Sequence, residues 1–192
     1  MHRGRPVAVT GGAVVAIGAV AAWAWIGTHP AVGTGSFGGP GDGISVSFVA
    51  GTPRLAMTGD RAQLVESVRN DGRAPVTLTG ATGQLPPGYT VTAQFQPDPF
   101  TGPYAVGDTN RPTADTVTLG AGDEAGVLLT VTAPPCGRRP IGAMSLSGVQ
   151  LGVRSVGITT DEWVDFGSSP LVIPGSDGSG GCLPADATAS VS

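Results

Sequence analysis

Lysine is absent from this chain of 192 residues, and its only two histidines, His2 and His29, lie before residue 30. Everything after that point therefore lacks both imidazole and a side-chain amine. A Ser-His-Asp or Cys-His nucleophile, a histidine-ligated zinc or copper centre, and Schiff-base or Ser-Lys chemistry are excluded there. Met57 and Met144 have no histidine to share a copper ion with. Charge is also scarce: 12% of residues are ionisable as Asp, Glu, Lys or Arg, with a net charge of −4. No basic surface is available to attract phosphate, so nucleic acid is not an expected partner. No segment after residue 27 shows an apolar period of about 3.6 residues, so helices are not expected beyond that point.

What is present begins with an uncharged apolar run over residues 6–27, preceded by Arg3 and Arg5 in a short stub, residues 1–5. As a helix, a run of that length rises roughly 33 Å, enough to cross a hydrocarbon core of about 30 Å. No acidic residue follows until Asp42, so the positive-inside bias predicts a cytoplasmic N-terminus and an exported remainder. Trp23 and Trp25 fall at the outer end, where indole rings favour the interface. The rival reading is a secretory signal cleaved after Ala21 or Ala24, each with a small residue two places earlier. The expected location is thus the cell membrane, single-pass, or the exterior after cleavage.

Both cysteines, Cys136 and Cys182, lie on the exported side, where disulfides persist, and are expected to pair. Residues 28–43, rich in Gly, Pro, Thr and Ser, read as a flexible linker. Residues 44–173 read as a series of short strands. The clearest has Tyr89, Val91, Ala93 and Phe95 alternating with Thr90, Thr92, Gln94 and Gln96, and a strand covered on both faces is expected over 127–132. Gly51 and Pro53 are expected to end the strand that starts at Ile44, and Asn70, Asp71 and Gly72 to turn a tight hairpin. Glu66 shares a face with Leu64 and Val68; it reads as the exposed centre of an edge strand, the other reading being a buried carboxylate with an arginine partner. Residues 174–192 read as a flexible tail tethered by Cys182.

Seven or eight short strands with turn signals about every ten residues predict an all-β fold, an antiparallel two-sheet sandwich. The run Val68, Arg69, Asn70, Asp71, Gly72, then Pro75, Val76, Thr77, Leu78, and later Leu119, Gly120, Ala121, Gly122 before a buried strand, resembles bacterial immunoglobulin-like domains of the cell-adhesion-related type. The layout is similar to that of small membrane-anchored actinobacterial proteins. The resemblance implies an immunoglobulin-like sandwich over residues 44–173, preceded by one transmembrane helix. The spacing of Cys136 and Cys182 and the late position of Trp163 depart from antibody domains.

Two regions are candidates for function. Residues 97–113 hold four prolines and no periodicity, and carry Phe100, Tyr104 and Arg111, residue types common at interface hot spots. Asp161, Glu162 and Asp165 cluster on the last long strand and could serve Ca²⁺ binding or hydrolysis. The expectation is a non-catalytic, membrane-anchored interaction or scaffolding module of the bacterial envelope, needing no cofactor and binding an envelope protein partner. The alternative is a ligand- or Ca-binding, or hydrolytic, domain built on the acidic cluster.

Overall fold

The computed structural model describes residues 18–26, 29, 31–83, 85–100, 108–166 and 169–184. Residues 18–26 are helical. Nine residues rise only about 13 Å, and among the described residues no helix is long and apolar enough to cross a membrane. The remainder of the expected span, residues 6–17 and 27, lies outside the described residues.

The described residues then form twelve strands: β1 (Val32–Pro40), β2 (Ile44–Val49), β3 (Thr52–Met57), β4 (Arg61–Asn70), β5 (Val76–Ala81), β6 (Thr90–Gln96), β7 (Thr116–Leu119), β8 (Glu124–Thr132), β9 (Ala143–Leu146), β10 (Gly148–Ser155), β11 (Ile158–Asp165) and β12 (Leu171–Pro174). They make three four-stranded sheets, ordered β1-β4-β8-β6, β11-β10-β5-β7 and β2-β3-β12-β9. The first two are antiparallel throughout, while β12 runs parallel to β3 in the third. The all-β expectation therefore holds, but with a third sheet beyond the two expected. That sheet exists because the chain does not stop at Gly51: Ala50 and Gly51, both at positive φ (50° and 82°), turn a two-residue hairpin and β3 returns along β2.

The first two sheets meet along their edges. Thr34 Oγ1 of β1 donates to the Asp165 carbonyl of β11 at 3.1 Å. At the other edge Phe95 of β6 exchanges backbone hydrogen bonds of 2.7 and 2.8 Å with Ala114, just before β7. Alternate residues of all three sheets enter one hydrophobic cluster: Leu64 and Val68 of β4, Leu129 of β8, Leu78 of β5, Leu151 of β10, and Leu171 and Ile173 of β12. Each such fully buried aliphatic side chain contributes roughly 1.5–3 kcal/mol. As expected, β8 is covered on both faces, since Leu128 is buried along with Val127 and Leu129.

Three linker and turn expectations are corrected. Residues 32–40 are not spacer: β1 pairs with β4, from Val32 opposite Asn70 to Pro40 opposite Leu64. Its glycines provide close approach, not flexibility. A Cβ on Gly33 would meet the Asp71 carboxylate, on Gly35 Ser67 and Glu124, and on Gly38 Glu66. Residues 70–75 are not a hairpin, because β4 and β5 belong to different sheets. Asn70, fully buried, holds this corner: its Nδ2 donates to the carbonyls of Ala74, Leu119 and Gly120 at 2.9–3.1 Å, and its Oδ1 accepts from Gly72 N at 2.9 Å.

The third correction concerns the tail, which is ordered as far as residue 184. Ser176 is buried and bridges both Ile141 and Cys182, and the Cys136–Cys182 disulfide closes the segment with its Cα atoms 5.0 Å apart. The rest of the tail, residues 185–192, lies outside the described residues.

Candidate functional site

The two regions singled out by sequence come apart on inspection. Arg111 is only 7% exposed, and its Nη1 donates to the Asp98 carbonyl at 2.7 Å, within the same loop. Phe100 is exposed but stands edge-on to Phe37 of β1, with ring centroids 5.5 Å apart. Tyr104 lies outside the described residues. Buried Gln96, at the end of β6, donates to the Asp108 carbonyl at 2.9 Å.

On β11 strand alternation splits the acidic cluster. Asp161 and Asp165 face outward with Trp163, while Glu162 shares the opposite face with Val164. Four strand residues separate the two aspartates by about 13 Å, too far for one cation. Asp165 accepts from Trp163 Nε1 at 2.7 Å, and Glu162 from Thr160 Oγ1 at 3.0 Å. Among the described residues no group of three or more His, Cys, Asp or Glu side chains is placed to hold a metal.

Glu66 is the residue that the structure brings forward. β4 is an inner strand, so Glu66 is neither at an edge nor exposed; it is 8% accessible, on the core-facing side with Leu64 and Val68. Nor does it have the arginine of the alternative reading: among the described residues its carboxyl has no hydrogen-bond or ion-pair partner. It lines a cleft of about 320 Å³ whose walls include Phe37, Gly38, Val46, Leu55, Phe166 and Ser169. Burial pushes its pKa up to about 7.

Glu124 also abuts β1, with the opposite outcome. Between Thr34 and Gly38 the β1 register slips, and the amides of the bulge turn to side chains. Glu124 Oε1 accepts from Ser36 N at 2.6 Å and Ser36 Oγ at 2.8 Å, and Ser67 Oγ accepts from Phe37 N at 3.0 Å. Burial alone would raise the Glu124 pKa, but hydrogen bonds from Ser36 and Ser67 and the nearby Arg69 charge outweigh it and hold the carboxyl below its ordinary value.

Sequence reasoning also missed the β2–β3 hairpin as a surface. Val46, Phe48 and Val49 are 45%, 71% and 41% exposed on β2, which closes one side of the third sheet. The signal was the apolar face of β2 itself, Ile44, Val46 and Phe48, of which only Ile44 packs against the core. Arg139 was likewise missed. Its buried guanidinium donates to the carbonyls of Pro134, Pro174 and Gly59 and to Asp60 Oδ1, all within 2.7–3.0 Å, and so ties the tail to the β3–β4 connection.

No protein-family model matches this chain, and no curated protein matches it in sequence.

Proposed function

We propose that this chain is a non-catalytic interaction module of the bacterial envelope, an immunoglobulin-like β domain held at the membrane by its N-terminal apolar segment and binding a protein partner. The Cys136–Cys182 disulfide supports an extracytoplasmic compartment. The observation that carries the interaction reading is β2. An edge strand presents unpaired backbone donors and acceptors along one side, and here it adds Val46, Phe48 and Val49 to solvent. Soluble proteins usually blunt such edges with charge or proline, and β2 has neither. An extended segment of an envelope protein would add to this edge as a further strand, its side chains meeting the exposed apolar row.

A photo-crosslinking amino acid placed at Val49 in living cells tests this reading. A discrete adduct is expected from position 49, none from Thr159 on exposed β11, and loss of the adduct on Phe48→Asp. Substitution at so exposed a site is expected to change stability by no more than about 0.5 kcal/mol. Absence of an adduct at 49, or an adduct indifferent to Phe48→Asp, would refute it.

A further inference from the structure

The cleft beside β1 holds a polar group that the fold leaves unanswered. Glu66 is more than nine-tenths buried and faces the cleft, and no described residue hydrogen-bonds or pairs with its carboxyl. Of the charged groups on the surrounding elements, Arg54 of β3, Arg61 and Arg69 of β4, Glu124 of β8 and Asp161, Glu162 and Asp165 of β11, none lines the cleft; β1 carries no charge at all. A fold that needed only to fill this position would use an apolar residue, as at Leu64 and Val68 on the same face. The space, about 320 Å³, lies within the range of about 300–1,000 Å³ typical of small-molecule sites.

The walls fix the ligand's chemistry. One end offers a single carboxyl, for which an added positive charge is the missing stabiliser. Beside it stand hydrocarbon from Val46, Leu55 and Pro53 and two aromatic rings, Phe37 and Phe166, which also attract cations, together with the backbone of β1 and the hydroxyls of Thr34, Ser36 and Ser169, which are already engaged with Asp165, Glu124 and Pro53. We propose that this cleft binds a small organic ammonium ion, its charged end against Glu66 and its hydrocarbon against Leu55, Phe37 and Phe166. The cleft shares Val46 with the β2 edge, but what carries the proposal is Glu66, which is no part of that edge.

Calorimetric titration of the full chain with n-butylammonium chloride tests this, with 1-butanol and butyrate as neutral and anionic matches of the same hydrocarbon. Butylammonium is expected to bind at pH 8.5, and neither match to bind. Affinity should fall about tenfold for each pH unit below the Glu66 midpoint as the carboxyl takes up a proton. Glu66→Gln, which keeps the side-chain shape, should abolish binding at pH 8.5. A second readout uses the unsubstituted chain: the ¹³C carboxyl signal of Glu66 is titrated with and without saturating butylammonium, and the midpoint, near 7 in the free protein, should move down on binding. Equal binding by Glu66→Gln, pH-indifferent binding, an unmoved midpoint, or no uptake of butylammonium would overturn the proposal. Equal binding of 1-butanol would overturn it too, leaving a merely apolar cleft.

Discussion

Glu66 and Glu124 both lean on β1, and their burial, hydrogen-bond partners and neighbouring charge distinguish them. Glu124 receives amide and hydroxyl donors that help hold its pKa below the ordinary value; Glu66 receives none among the described residues, and burial lifts its pKa from 4.5 to about 7. Below about pH 4.5 the folded and unfolded chains both hold the Glu66 proton. Between 4.5 and 7 the folded chain holds it more tightly, so this residue's contribution to stability declines as pH rises through that window and stays low above it. The full displacement corresponds to roughly 3 kcal/mol, lessened by water in the cleft. Glu66→Gln is therefore expected to be more stable than the parent by about 1–3 kcal/mol at pH 8.5, and nearly equal to it at pH 4.5. Urea unfolding of both proteins at the two pH values measures this; a difference that does not change with pH would contradict it. The sequence showed Glu66 in phase with Leu64 and Val68. It could not show that β4 is an inner strand, because which strands flank it is a long-range fact.

At the scale of elements, β1 is where local reading and tertiary structure part. Four of its nine residues are glycine, the usual mark of a linker. Here the same glycines let a strand lie against Asp71, Ser67, Glu124 and Glu66, contacts that depend on residues 28 or more positions away. A side chain at Gly35 would displace the Glu124 and Ser67 oxygens that hold the bulge. Gly35→Val is expected to cost about 1–3 kcal/mol by overpacking and to speed amide hydrogen exchange in β1 more than in β5 or β10. Uniform exchange across the three strands would show that β1 is not held in this way. The two tight hairpins were only partly legible. At Ala50–Gly51 the non-glycine residue at positive φ concealed a hairpin, and with it β3 and the whole third sheet. Val156, β-branched yet at φ 44°, occupies the equivalent place in the β10–β11 hairpin.

For the molecule as a whole, the Cys136–Cys182 disulfide closes a loop with a sequence separation of 46 residues that contains β9, β10, β11 and β12. On the chain-entropy account such a closure is worth up to about 4 kcal/mol. Reduction is expected to lower the melting temperature clearly and to expose residues 175–184 to protease before the sheets unfold. A thermal melt with and without reductant, followed by limited proteolysis and mass mapping, checks both. Resistance of the tail after reduction would mean that Arg139, through Pro174, and the Ser176 bridges hold it unaided.

The sequence by itself determined the strand chemistry, the absence of imidazole and amine catalysis after residue 30, the cysteine pair and the compartment that the pair implies, because composition and alternation are properties of neighbours. Most strands between residues 44 and 173 were legible for that reason. Tertiary structure alone decided that a glycine-rich segment pairs as β1, that a third sheet forms, that Arg111 is buried, and that Glu66 is buried without a partner among the described residues. Each of these depends on which distant segment lies against which. The apolar run at the N-terminus and the carboxyl beside β1 are thus known in different ways: the first from the order of residues, the second only from what the fold places around it.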